Sequence, residues 1–317
     1  MTNDAVATLT EGIRHVMNVR EVSRLRRLSG GASRETWRFT ADGSDYVLQR
    51  VRAGTPGGLH GEPSIVHAAF NAGVPVPELV VDGSSLTDLE RPFMIVRAVE
   101  GETIARKILR DDEFAVARKV LPEQLGKAAA QLHQIDPKDV PDLVVEDQID
   151  RYRQALDFIG EPHPVFEVAF RWLAQNMPTS NEVRVVHGDF RLGNVMVNEK
   201  GLAAILDWEL AHLGDPMEDL GWLCVRAWRF GGHQPVAGLG SYEQLFSAYE
   251  EASGCRPDFD VVRWWEILGT LKWGIICVSQ ANTHLSGTVR SHELAAIGRR
   301  VCENEYDLIE LLRETQQ

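Results

Sequence analysis

The segment Val185 to Val197 reads Val-Val-His-Gly-Asp-Phe-Arg-Leu-Gly-Asn-Val-Met-Val, which sets Asp189 and Asn194 in one short loop between two apolar runs. A further apolar run, Ala204-Ile205-Leu206, follows and ends in Asp207-Trp208-Glu209. Such a set suits phosphoryl transfer. A carboxylate at a loop tip orients a hydroxyl and accepts its proton, while an amide oxygen and a second carboxylate hold Mg²⁺ against nucleotide phosphates. Asp189 is then the expected base, and Asn194 and Asp207 the expected metal ligands. An isolated His-Gly-Asp is commonly a turn with a capping Asp; the register with Asn194 and Asp207 is what lifts this one above that. His187 is expected to hydrogen-bond backbone rather than to transfer protons.

The elements that must position these residues differ along the chain. Up to about Gly101 the sequence is rich in Gly, Val and turn signals; beyond it, helical periodicities are long. Glu35–Thr40 and Tyr46–Val51 alternate in strand fashion around Asp42-Gly43, which predicts a hairpin. Ile65–Phe70 reads as helix, stopped by Asn71-Ala72-Gly73 and then by Pro75 and Pro77. Pro92–Val99 reads as a third strand. Glu113–Ile135 is helical with Pro122 inside, so either two packed helices or one bent helix is expected. Asp150–Asn176 is helical with a break around Pro162–Pro164, and the chain after Pro216 reads as mostly helical. Asp215-Pro216-Met217-Glu218 looks like a helix start, with Asp as N-cap, Pro in the first turn and Glu in capping-box register. Asp219 is expected to brace the loop of Asp189.

Length and composition agree with two units. The 317 residues exceed twice the usual domain size of about 150, and the boundary is set at 1–100 and 101–317. A hydrophobic share of 44% with 25% charged residues excludes a disordered or fibrous chain. The net charge of −13 disfavours nucleic acid and anionic membrane surfaces as partners. The four cysteines show no paired spacing, so neither a zinc site nor a disulfide scaffold is expected. With no signal sequence or membrane span in view, a cytoplasmic location is the default expectation.

On these residues the chain resembles the aminoglycoside phosphotransferase and choline kinase-like family, distant relatives of the protein kinases. His187-Gly188-Asp189 through Asn194 is similar to that family's catalytic loop, and Leu206-Asp207-Trp208-Glu209 to its metal-binding segment. Leu125-Gly126 and Leu132-His133 resemble a helix that precedes the loop, and Phe93 to Gly101 the strand, hinge and Glu-Gly turn. The resemblance implies an α/β (α+β), kinase-like bilobal fold with ATP and Mg²⁺ bound between a sheet lobe and a helical lobe. It also implies site residues. Gly30, Gly31 and Ser33 would cover the phosphates; backbone groups of Val96 to Val99 would hold adenine; Arg191 would offset charge on the transferred phosphate. Where the family carries a phosphate-clamping cation, this chain has Gln49, so Arg50 or Arg52 is expected to substitute, with Glu62 as the pairing acid.

The form Leu206-Asp207-Trp208-Glu209-Leu210-Ala211 with Gly214-Asp215-Pro216 resembles the branch of kinase domains fused to acyl-CoA dehydrogenases. That resemblance implies a small-molecule hydroxyl acceptor such as a hydroxyacyl thioester, whereas the acid surplus suits an aminoglycoside or choline-like amine. The alternative to an enzyme is a pseudokinase-like binding module that lost efficient transfer along with the strand Lys.

Overall fold

The computed structural model describes residues 3–28, 34–53, 58–59, 61–86, 88–179 and 182–315. Gly30, Gly31 and Ser33 lie outside the described residues. The chain opens with helix α1 (Asn3–Met17) and a five-stranded sheet, β1 (Val22–Arg27), β2 (Arg34–Ala41), β3 (Ser44–Val51), β4 (Leu79–Gly83) and β5 (Phe93–Arg97). The order is β1-β2-β3-β5-β4, with every neighbour antiparallel. The hairpin read from the sequence is β2–β3, where Ala41 pairs Ser44 across Asp42-Gly43. The Asp42 carboxylate accepts the backbone N–H groups of Arg20 and Glu21 and so ties the turn to the start of β1.

Strand alternation divides this sheet into two faces. Trp37, Phe39, Leu48, Phe93 and Ile95 point to one side and bury Leu9 and Ile13 of α1. Arg34, Thr36, Gln49 and Met94 occupy the other, because register partners share a face: Thr36 pairs Gln49, and Gln49 pairs Met94.

Between β3 and β4 runs α2 (Glu62–Asn71), with Pro63 in its first turn, where the missing N–H costs nothing. Its Ile65, Val66 and Ala69 join the core of the helical part, alongside Leu121, Leu125, Phe190 and Leu192. This anchors Glu62 to the larger half while its side chain faces the sheet.

Beyond the sheet come α3 (Ala105–Arg110), α4 (Ala115–His133), α5 (Gln148–Ile159) and α6 (Pro164–Gln175). Pro122 sits inside α4, which remains one helix. Four short strands follow, β6 (Arg184–Val186), β7 (Val195–Asn198), β8 (Gly201–Ile205) and β9 (His212–Gly214), pairing as β7–β8 and β6–β9. Then come α7 (Met217–Cys224), α8 (Tyr242–Ser253), α9 (Phe259–Leu285), α10 (His292–Gly298) and α11 (Val301–Glu314). The 27-residue α9 is the axis of this half, since Ile267, Leu271 and Ile275 pack with Phe166 and Phe170 of α6 and Leu308 of α11. Among the described residues no helix is long and apolar enough to cross a membrane.

Candidate active site

Strand β6 delivers the chain to His187 with Val185 and Val186 fully buried, and the loop then turns at Gly188. Gly188 has φ +76, and a Cβ there would lie 2.4 Å from the Leu210 carbonyl oxygen, so a side chain would push the two loops apart. Asp219, in the first turns of α7, grips the loop. Its Oδ2 accepts the His187 N–H at 2.8 Å and its Oδ1 the Gly188 N–H at 3.0 Å. His133, at the end of α4, adds a hydrogen bond to Asp219 at 3.1 Å and one to Tyr249 at 2.9 Å. Burial works against the Asp219 charge, but the His133 hydrogen bond and the nearby imidazoles hold its carboxyl below the usual range.

His187 spends both ring nitrogens on backbone. Nδ1 accepts the Asp189 N–H at 3.1 Å, so Nε2 carries the proton and donates it to the Leu206 carbonyl at 3.0 Å. Full burial pushes this imidazole below its ordinary value, in keeping with a neutral, positioning side chain that links the two loops.

Three donors fix the Asp189 carboxylate. Oδ1 accepts Trp222 Nε1 at 2.8 Å and Arg191 Nε at 2.9 Å, and Oδ2 accepts Asn194 Nδ2 at 2.5 Å. The Arg191 guanidinium folds back, 4.5 Å from the centre of the Trp228 ring. Gly193 makes room for it, since a Cβ there would meet Arg191 Nη1 at 2.2 Å. Sequence reasoning placed Trp222 among core residues; its buried ring also supplies an N–H that nothing in its spacing announces.

Asn194 commits its Nδ2 to Asp189, which leaves its amide oxygen without a partner among the described residues. The Leu206 N–H donates to the Asn194 carbonyl at 2.8 Å and brings the end of β8 beside it. Asp207 follows at φ +66, a left-handed conformation that Asp tolerates better than most residues and that is found where function holds the backbone out of its usual wells. Among the described residues no three His, Cys, Asp or Glu side chains gather as a metal site. A cation here would be held by the Asn194 amide oxygen and the Asp207 carboxylate together with ligand oxygens, and two hard oxygens of this kind fit Mg²⁺.

The charges around Asp207 also call for a cation. Its side chain is exposed, yet the protein around it and the carboxylates of Glu209 and Asp189 push it up to about 6. Glu62, buried at the start of α2, is pushed up to about 7 by burial, against the pull of Arg34 and with the repulsion of Glu209 and Asp207 added. Both folded values lie above the ordinary 3.8 and 4.5, so the folded chain binds more protons than the unfolded chain in the interval between. Stability from these groups is therefore present at low pH and lost as pH rises through about 6 to 7. Without divalent cation, the melting temperature of Asp207→Asn should fall less than that of the parent between pH 4.5 and 7.5. Equal slopes would show that Asp207 carries no such strain.

The clamp region departs from expectation. Arg50 does not face Gln49's side of the sheet: it lies on the α1 face, where Nη2 donates to Glu35 at 2.8 Å and Nη1 to the Leu89 carbonyl at 3.3 Å. The strand alternation that sets Gln49 and Arg50 on opposite faces is the reason. Arg52 spends its Nε on the Arg34 carbonyl at 3.1 Å. The cation paired with Glu62 is Arg34 of β2, which shares the face of Gln49; its Nη2 donates to Glu62 Oε1, and its Nε is buried without a partner among the described residues. Sequence reasoning sought this cation on β3 alone.

Val96 is buried inside β5, paired with both Val47 and Leu79, and Val99 is half-buried where the chain has left the sheet. Glu218 does not complete a capping box; it is buried and pairs with His212 at 3.1 Å and Lys272 at 3.4 Å. Asp215 does cap, accepting the Met217 N–H at 2.9 Å. Lys272 of α9, also unforeseen, donates from inside the core to the Gly188 carbonyl at 2.7 Å and sits 4.5 Å from the centre of the Trp222 ring. It thus supports the loop that holds Asp189 and the indole that orients it.

The model of the phosphotransferase enzyme family matches residues 24–265. The chain is 25% identical to acyl-CoA dehydrogenase family member 11 of Gallus gallus over 90% of its own length, and it spans 40% of that relative. A provisionally named aminoglycoside phosphotransferase of Ralstonia eutropha JMP134 superposes with a TM-score of 0.77 at 22% identity, over 98% of each chain. Aminoglycoside 2'-phosphotransferase-IIIa, solved as its GDP complex, superposes with a TM-score of 0.70 at 15% identity, over 96% of this chain and 99% of its own. The fold is kinase-like. With more than half its length matched by the family model, the catalytic-loop signature in place and the sheet-and-helix architecture around it, the chain belongs to the phosphotransferase enzyme family.

Proposed function

We propose that the protein transfers the γ-phosphate of ATP to a hydroxyl of a small molecule, with Asp189 as the base and Asn194 and Asp207 as ligands of Mg²⁺. The observation that carries this reading is the Asp189 carboxylate itself, fixed by Trp222, Arg191 and Asn194, with two donors on Oδ1 and one on Oδ2. Asp189 orients the acceptor hydroxyl and takes its proton as the oxygen bonds to the γ-phosphorus, and the bond to the β-phosphate oxygen breaks to leave ADP. Bound Mg²⁺ would neutralise phosphate charge during this step. Arg191, whose Nε donates to Asp189, would offset charge on the transferred phosphate. The loop of Gly30, Gly31 and Ser33 would cover the phosphates, and the backbone from Val96 to Val99 would seat the adenine. The relative solved with GDP supports nucleotide use by this fold.

Transfer is tested with γ-labelled ATP, Mg²⁺ and a pool of hydroxylated metabolites, reading label in the products. Label that stays in ATP and inorganic phosphate across a broad pool, despite tight nucleotide binding, would favour the pseudokinase reading, which the neutral Gln49 also supports.

In this reading Arg34, not Arg50, grips the α- and β-phosphates. Its unpartnered Nε is a spare charge-assisted donor beside Glu62. The double variant Arg34→Gln/Glu62→Gln, which leaves no unpaired buried charge, should weaken Mg-ATP binding by roughly tenfold or more. Arg50→Gln should leave that affinity near the parent value; the reverse ranking in calorimetry would return the clamp to β3.

A further inference from the structure

The left-handed turn at Asp207, φ +66, is fastened from both sides. A residue other than glycine keeps such a conformation only where its surroundings over-determine it. On the N-terminal side the Leu206 carbonyl accepts His187 Nε2 at 3.0 Å, and on the C-terminal side the Leu210 carbonyl accepts His212 Nδ1 at 2.9 Å. The two imidazoles arrive together because His212 pairs with Val186, the residue before His187, across the β6–β9 ladder. Between them the buried Trp208 donates Nε1 to the Ile205 carbonyl at 3.4 Å, and the Ala211 N–H donates to the Trp208 carbonyl at 3.1 Å. Asp207 is thus an exposed point on a segment whose neighbours are held.

His187 gives its other nitrogen to the base loop, at the Asp189 N–H. His212 sends its own into the core. There Nε2 faces Glu218 Oε2 at 3.1 Å, and Glu218 Oε1 lies 3.4 Å from Lys272 Nζ. The Gln148 amide nitrogen, 3.2 Å from the same Nε2, donates to Glu146 at 3.3 Å. A carbonyl and a carboxylate only accept, so both nitrogens of His212 carry protons. Burial works against that charge, but Glu218 lifts the imidazole above its ordinary value. Lys272 in turn donates to the Gly188 carbonyl at 2.7 Å, and Gly188 lies against the Leu210 carbonyl. The circuit from Leu210 through His212, Glu218 and Lys272 to Gly188 therefore closes. It sets the Asp207 segment in register with the loop of Asp189.

Resting on the reading of Asp207 as a metal ligand, we infer that His212 is a positioning residue for that ligand, holding the Leu210 carbonyl from Nδ1 and so keeping the turn that presents the Asp207 carboxylate. Glu218 and Lys272 hold the ring to this task. The clamp acts on the metal segment from behind, through backbone, and the side chain of His212 meets neither cation nor nucleotide.

The test replaces each half of the ring in the full chain. Asn sets its amide nitrogen where Nδ1 stands and can still hold Leu210; Gln sets its own where Nε2 stands and can still hold Glu218. AMP-PNP affinity is measured by calorimetry at neutral pH with Mg²⁺ and with EDTA, and the ratio of the two gives the contribution of the metal. His212→Gln should lose roughly tenfold or more of that ratio, the usual worth of a partner behind a metal ligand, with its affinity in EDTA unchanged. His212→Asn should keep most of the ratio, although it gives up the buried Glu218 contact and melts at a lower temperature than the Gln variant. In the metal-free chain, hydrogen exchange at the Ala211 amide should speed up in the Gln variant and stay near the parent rate in the Asn variant. A Gln variant with the parent's ratio, or losses in both variants that follow their melting temperatures, would overturn the inference. Should the parent's affinity not respond to Mg²⁺ at all, the metal reading falls, and Ala211 exchange decides the clamp by itself: equal rates in the parent and the Gln variant would overturn it.

Discussion

Asp189→Asn should bind Mg²⁺ and nucleotide as the parent does yet transfer phosphate roughly 10²–10⁴ times more slowly, the usual contribution of a positioned general base. The reason goes beyond the lost proton acceptor. Three N–H donors converge on this carboxylate, two on Oδ1 and one on Oδ2, and an amide offers a single oxygen in exchange. Its NH₂ must then face Asn194 Nδ2 or the pair formed by Trp222 and Arg191, donor against donor. The variant therefore loses both the base and its orientation, while Asn194 keeps its Nδ2 bond to the backbone carbonyl of residue 189. Measuring AMP-PNP affinity beside the transfer rate separates the two. A transfer rate within about threefold of the parent would remove Asp189 from its role, since a general base contributes far more than that.

Asp207→Asn should show the second large effect, with opposite signs in two measurements. Nucleotide affinity in the presence of Mg²⁺ should fall by at least about 100-fold, because even outer partners of a metal ligand are worth 10–100-fold. Stability of the metal-free chain near pH 7 should rise, because a carboxylate already pushed up to about 6 by the surrounding protein and by Glu209 and Asp189 is replaced by a neutral amide. Asn is the informative substitution, since it tolerates the left-handed backbone at this position as Ala does not. Unchanged affinity would mean that the cation sits elsewhere.

These expectations stand on residues legible in the sequence, and the contrast with what was not legible is physical. Asp189, Asn194 and Asp207 declare themselves because loop chemistry depends on residue type and short spacing, and both survive in one dimension. The β2–β3 hairpin declares itself through alternation around Asp42-Gly43, and Asp219 through its place in the first turn after Asp215-Pro216. Strand β1 stays hidden because Val-Ser-Arg-Leu-Arg-Arg is mostly solvent-facing and its pairing with β2 is irregular. Arg34 stays hidden for a different reason. Its partner Glu62 is distant in sequence, and only the register Thr36 with Gln49 reveals that β2 presents a cation on the face where β3 presents Gln49. The same alternation explains why Arg50, adjacent to the expected slot, answers to Glu35 and Leu89 instead.

Lys272 and Glu218 illustrate a further limit. A lysine in the middle of α9 and a glutamate in the first turn of α7 each have an ordinary local reading, as a solvated charge and as a capping side chain. They meet only because α7 packs along α9, where the ammonium reaches the Gly188 carbonyl and the carboxylate reaches His212. Long-range packing, not local spacing, assigns these roles.

A metal-bound nucleotide seated over Asp189 is the central requirement of phosphotransfer here. A crystal structure with Mg²⁺ and AMP-PNP tests it most directly. The account predicts a cation within about 2.0–2.1 Å of the Asn194 amide oxygen and an Asp207 carboxylate oxygen, bridging the phosphates, with the Arg34 guanidinium against the α- or β-phosphate. Phosphates seated away from Asn194 and Asp207, or a cation that touches neither, would contradict it.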